Sequence, residues 1–188
     1  MRNLLVSVLL LTLYGCSSYQ TQSGVENTTD TQCVGSTQLP DQIAQHFEAI
    51  DDTVLLESAL GDQNEGKLCQ GQVYRSKENS SVVFFRAWNS TNQNSQFGQW
   101  WAFNQPAGKV AQYRSDYEIC YQWSPLDKLV KCTLKPNTKV VVGTGQSALC
   151  SEYLSYAVSA QQQIYIEDAS ESLMNCTVFD GVFSWKAL

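Results

Sequence analysis

The chain has 188 residues, 43% of them hydrophobic, with 12 basic against 18 acidic side chains, a net charge of −6 and a single histidine. That length supports one core in one domain, and the acidic balance argues against the clustered positive face that nucleic-acid binding needs. His46 falls in an expected helix as a surface or partly packed residue, and no CxxC or close Cys and His cluster accompanies it, so no metal is expected.

Residues 1–18 read MRNLLVSVLLLTLYGCSS, with one positive charge at Arg2, an apolar run over 4–13, then Gly15 and Cys16. The run is too short to cross a bilayer and has the layout of a secretory signal. Its end, Leu13-Tyr14-Gly15-Cys16, resembles a bacterial lipoprotein signal box, although Tyr14 is bulkier than the residue usual there. The resemblance implies a signal peptide over residues 1–15 and a diacylglycerylated Cys16 that anchors the protein to a membrane. Ser17 in place of an aspartate implies outer-membrane sorting, facing the periplasm or the exterior. The alternative is an ordinary cleavage site beside an ordinary thiol.

Residues 16–38 are rich in Ser, Thr, Gln and Asn, the composition of a flexible tether. A single globular domain is expected over 39–188. Cys33, Cys69, Cys120, Cys132, Cys150 and Cys176 remain once Cys16 is set aside, and an even count in an exported chain predicts three disulfides with the pairing open.

Over 39–60 the apolar residues Ile43, Phe47, Ile50, Val54 and Leu55 come close to helical spacing, with Asp41 as cap and Gly61 as stop, which predicts one amphipathic helix. Strands are predicted over 82–88, 98–103, 138–142 and 162–167, with a last one within 177–185. Short helices are predicted over 113–121 and 125–132, and another over 150–160. The fold class is therefore α+β, mainly antiparallel, with an N-terminal helix and disulfide stabilisation.

Within VVFFRAW the side chains alternate, so Phe84, Arg86 and Trp88 share one face and Val83, Phe85 and Ala87 the other. A permanent cation on an aromatic face needs a partner if water is kept away. That partner is a carboxylate in a structural reading, or the phosphate or carboxylate of a ligand in a functional one.

Further segments follow in order: GQWWAF at 98–103, Tyr113-Arg114, KPNTKVVVG at 135–143 and QQQIYI at 161–166. Together with the Arg86 strand, their order and spacing over residues 82–166 resemble ADP-ribosyltransferase-fold toxins and their NAD-glycohydrolase relatives. The resemblance implies a split antiparallel sheet and NAD as substrate, with no metal. It implies that Arg86 holds the dinucleotide, that Trp100, Trp101 and Phe103 shape the nicotinamide pocket, and that Arg114 assists in binding charge. Gln163 stands where the family's catalytic glutamate is expected. This chain has Gln161-Gln162-Gln163 where most transferases carry Glu-x-Glu, and its first acid there is Glu167. Glutamine hydrogen-bonds a ribose hydroxyl without bringing negative charge, as in some necrotizing-toxin-type NAD glycohydrolases of this fold. Transfer to arginine is thereby disfavoured. Glu167 shares a face with Gln163 by alternation and ranks behind it.

VVVGTGQSA at 140–148 also fits strand then G-x-G-x-x-A, with Glu167 about 20 residues on, the layout of a dinucleotide-binding turn. No alternation of strands and helices surrounds it, so Gly143 and Gly145 are read as turn glycines leaving a strand. No G-x-S-x-G elbow, HExxH pair or P-loop occurs. The competing reading of the whole chain is a non-enzymatic surface lipoprotein, an inhibitor, immunity factor or adhesin. Its paired tryptophans among Asn and Gln would bind a protein target or a glycan.

Overall fold

The structure, a computed structural model, describes residues 32–181, 183–184 and 186–187. The signal segment and Cys16 lie outside the described residues. In chain order the elements are α1 (Asp41–Ala44), β1 (Phe47–Ala49), α2 (Thr53–Ala59), β2 (Leu68–Ser76), β3 (Val83–Trp88), a 3-10 turn (Gln93–Phe97), β4 (Trp100–Trp101) and α3 (Val110–Asp116). They continue with β5 (Lys128–Leu134), β6 (Lys139–Gly145), β7 (Ala148–Ser151), β8 (Leu154–Tyr156), β9 (Gln162–Tyr165), α4 (Ala169–Ser172), β10 (Leu173–Asp180) and β11 (Lys186–Ala187). The class is α+β, with mainly antiparallel sheets, short helices and three disulfides.

Two antiparallel sheets carry the fold. One has the order β1-β2-β6-β9-β4, the other β11-β10-β5-β3, and β7 and β8 form a separate hairpin. The largest apolar cluster draws on both sheets, with Phe84, Val130 and Leu134 from the second and Val140, Val142 and Ile164 from the first, so the sheets face each other across it. Each of these side chains is fully buried, and burial of that kind contributes roughly 1.5–3 kcal/mol per residue. On the far side of the first sheet, Leu55 and Ala59 of α2 pack with Val73, Val141 and Tyr165.

The single helix expected over 39–60 is instead two short helices with a strand between them. Phe47, Glu48 and Ala49 pair with Ser76, Arg75 and Tyr74 at the edge of β2, and Phe47 packs edge-on against Tyr74. A strand there satisfies backbone groups of β2 that a helix would leave unpaired. The capping carboxylate is therefore Asp52, whose Oδ1 accepts from the Leu55 amide, while Asp41 sits inside α1.

Two other expected helices are strands. Residues 125–132 lead into β5, whose Lys-Leu-Val-Lys-Cys-Thr-Leu run pairs with β3 on one side and β10 on the other. Residues 150–160 hold the end of β7 and all of β8. The longest strand, β2, is the one that the sequence signals least, because Cys69, Gln70, Gly71 and Gln72 interrupt its apolar run.

The disulfides are Cys33–Cys69, Cys120–Cys150 and Cys132–Cys176, closing separations of 36, 30 and 44 residues. On a chain-entropy account each removes roughly 4 kcal/mol from the unfolded ensemble. The first fastens residues 33–38 to the body, which shortens the tether read from composition. Thr37 O accepts from the Tyr74 hydroxyl, and Gln162 Nε2 donates to Ser36 O and Gln38 O.

Candidate functional site

The two sheets are stitched together where β4 ends. Trp100 and Trp101 pair with Tyr165 and Ile164 of β9, and the next residue, Ala102, bridges Phe85 of β3. Both backbone hydrogen bonds of that bridge form, Phe85 N to Ala102 O at 2.9 Å and Ala102 N to Phe85 O at 2.8 Å. This short junction brings β3 and β9 to the walls of one cleft, of about 390 Å³, lined by Arg86, Trp100, Trp101, Tyr113 and Gln163 among others. The volume falls in the range of small-molecule sites. Trp123 stands half-exposed at the rim, its ring against Gly66, whose φ of 67° and lack of a Cβ make the close approach possible.

Arg86 is held by backbone carbonyls. Its Nε donates to Ser95 O at 2.7 Å and its Nη1 to Trp100 O at 2.6 Å. The 3-10 turn supplies the first acceptor, and Gly98 follows that turn because any Cβ there would collide with the guanidinium. The structural reading of Arg86 required a carboxylate partner; none of the four ion pairs among the described residues includes Arg86, although one of them, Lys67 with Glu65, lines the same cleft. Burial pushes the Arg86 pKa down to about 10, with Tyr113 acting the other way, so the group remains a cation at neutral pH. A cation lining a cleft with neutral acceptors alone is suited to receive an anion.

The two tryptophans divide their labour. Trp101 is 2% exposed, belongs to the core and donates its indole N–H to Gly98 O at 2.8 Å. Trp100 is half-buried and meets Tyr165 edge to face, with ring centroids 5.1 Å apart. Pairing with Tyr165 sets Trp100 on the same face of the sheet as Gln163, since residues two apart in β9 share a face.

Gln163 is buried, and its Nε2 donates to Glu118 Oε2 at 2.6 Å. Glu118 has no exposed surface, and burial raises its carboxyl pKa to about 9, with Asp116 adding to the rise while hydrogen bonds from Gln163 and Ser159 oppose it. Its backbone is left-handed, with φ 47°, immediately after α3 and its C-cap at Tyr117. The carboxyl lies against Gly145 of β6, where a Cβ would overlap it. Sequence reasoning passed over Glu118. The one signal available was a lone acid in the run Tyr117-Glu118-Ile119-Cys120, among residues that go inside.

Arg86, Trp100, Trp101 and Gln163 are thus brought together, while Phe103 and Arg114 are not among the residues that line the cleft. Phe103 packs edge-on against Phe84, 5.6 Å between centroids. Arg114 donates Nη1 to Ile119 O and Nη2 to Ser124 O, bracing the loop that carries Glu118. Glu167 is exposed beyond the end of β9, and its carbonyl accepts from Gln99. Gly143 and Gly145 lie within β6 and not in a turn beyond it, and β7 follows at Ala148 where a dinucleotide-binding turn would need a helix. Gly143 is required because a Cβ would run into Gln70 O. His46 lies in a turn before β1, outside any helix.

Among the described residues no group of three His, Cys, Asp or Glu side chains converges, and no helix is long and apolar enough to cross a membrane. Compared with protein-family models, curated proteins and solved structures, the chain matches none.

Proposed function

We propose that the protein is an exported, lipid-anchored enzyme that binds NAD and cleaves it, built on an ADP-ribosyltransferase-like split sheet. The observation that carries this reading is the convergence of Arg86, Trp100 and Gln163, from three separate strands, on one cleft. Two sheets bridged between Phe85 and Ala102 also suit a split sheet with its ligand at the seam. The export and anchor rest on the run at 4–13 and on Cys16.

Arg86 would pair with the pyrophosphate, and Trp100 with Tyr113 would flank the nicotinamide ring. The bond between ribose C1′ and the nicotinamide nitrogen breaks with its electron pair leaving on nicotinamide, which discharges the ring. Water then bonds to C1′ and releases a proton to solvent. The passing state is oxocarbenium-like. Gln163, neutral and fixed, orients the ribose by hydrogen bonding, while nothing in its side chain deprotonates an acceptor. Hydrolysis is therefore favoured over transfer to arginine. Chromatography of NAD incubated with the purified, disulfide-bonded protein tests the reading: nicotinamide and ADP-ribose appear in equal amounts, whereas intact NAD after prolonged incubation overturns it.

A second reading draws on a surface that borders the cleft at Trp123. Tyr121, Trp123, Leu149 and Tyr153 are 61%, 47%, 56% and 90% exposed, and they cluster in sequence around the Cys120–Cys150 disulfide. Such a patch suits a non-enzymatic lipoprotein that binds a protein or a glycan. Binding that is lost in Trp123→Ala and Tyr153→Ala, with NAD left intact by the wild type, would favour it.

A further inference from the structure

Glu118 occupies a position that stability alone does not explain. Its carboxyl is completely enclosed, and among the described residues its Oε1 has no hydrogen-bond partner. Its backbone sits in the left-handed region, where glycine or asparagine is ordinarily preferred. The strand opposite must carry glycine at 145 to make room for it. Three unfavourable features thus meet at one residue whose carboxyl accepts a hydrogen bond from Gln163, itself a wall of the cleft. Unfavourable local structure that persists is a pointer to a role in the site.

The consequence for Gln163 is directional. An amide has a donor end and an acceptor end. With Nε2 given to Glu118, no donor among the described residues occupies Gln163 Oε1, so the carbonyl is the end left for a ligand. We propose that Glu118, which does not line the cleft, is a positioning residue: it turns the Gln163 amide so that its carbonyl oxygen accepts a hydrogen bond from a hydroxyl of the bound ligand. This inference rests on the NAD reading for the identity of that hydroxyl, a ribose hydroxyl beside the bond that breaks. It also narrows the ligand class, since a carboxylate or phosphate at this point would meet an acceptor and be rejected.

The test uses two variants of the full, oxidised protein and two readouts. Glu118→Leu keeps apolar bulk and removes the acceptor, while Glu118→Gln keeps an acceptor at the same reach. In NMR spectra the side-chain amide of Gln163, assigned by its loss in Gln163→Ala, is expected to be resolved and slowly exchanging in the wild type. It should be so in Glu118→Gln and should move to the position of a free glutamine amide in Glu118→Leu. With NAD, Glu118→Leu should lower the turnover number by on the order of 10–100-fold with a smaller change in KM, because misplacement of an orienting group acts on the reacting geometry. Glu118→Gln should recover most of that loss. If the Gln163 amide signal is unchanged in Glu118→Leu, the proposal is overturned. If the wild type leaves NAD intact, the NAD reading fails alone, and the amide signals still decide whether Glu118 positions Gln163.

Discussion

The two faces of the β6–β9 pair are built to different ends. On one, Val140, Val142, Ile164 and Trp101 are closed into the core, with Trp101 satisfying its one polar atom on Gly98. On the other, Val141 and Tyr165 pack against α2 at one end, while at the other end Gly145 leaves room for Glu118, which forms a buried polar pair with Gln163. The first face gains from every methylene it buries. Around Gly145 the second face gives up apolar contact and accepts an enclosed acid, a loss that makes physical sense where a ligand has to be held. One strand, alternating between its two faces, thus commits Ile164 to the core and leaves Gln163 for the recognition proposed above.

The contrast predicts unequal responses to substitution. Trp101→Ala, on the core face, should lower stability by about 3–5 kcal/mol, measured by chemical denaturation of the oxidised protein; a loss under 1 kcal/mol would mean that the two faces are not so different. Per pH unit, a smaller effect is expected from titration. The folded-state pKa of Glu118 lies above its ordinary value of 4.5, at about 9. The folded state therefore keeps a proton that the unfolded chain loses. Stability should be greatest below pH 4.5 as far as this group is concerned, and fall as pH rises toward 9. The slope is at most about 1.4 kcal/mol per pH unit. Subtracting the profile of Glu118→Gln isolates it; parallel profiles would show that Glu118 is not buried as a neutral acid.

Gly145→Ala should cost about 1–3 kcal/mol by pressing on the Glu118 carboxyl. Combining it with Glu118→Ala should recover part of that cost, whereas strict additivity in the double-variant cycle would deny the contact. Smallest of all, Arg114→Ala should remove about 1 kcal/mol through the loss of two hydrogen bonds to Ile119 and Ser124 carbonyls. An effect above 3 kcal/mol would give Arg114 a larger part than bracing a loop.

Much of the sheet was legible from short runs of β-branched and aromatic residues. Val83–Trp88, Lys139–Gly145 and Gln162–Tyr165 carry such runs, and each is a strand close to its expected bounds. The region from 125 to 160 was not, because its strands are short or carry lysine and cysteine, and their identity is decided by the neighbours they pair with. The same holds for Phe47–Ala49, whose spacing looks helical until the edge of β2 claims it. Alternation said that Trp100 and Trp101 point apart; only the pairing with Tyr165 and Ile164 says which goes inside. Arg86 was singled out from its strand, and Gln163 from the resemblance over residues 82–166. Glu118 was not, since a left-handed acid beneath a glycine is a property of how three segments meet, and no local pattern records it.

The central claim is that Arg86 and Gln163 act together on NAD, and the most direct measurement is the rate of nicotinamide release by the wild type beside Arg86→Ala and Gln163→Ala. The expected result is release by the wild type and a loss of about 100-fold or more in each variant, in line with removing a group that stabilises or orients the passing state, with all three proteins folded. Release that proceeds unchanged in both variants, or none from the folded wild type, would contradict it.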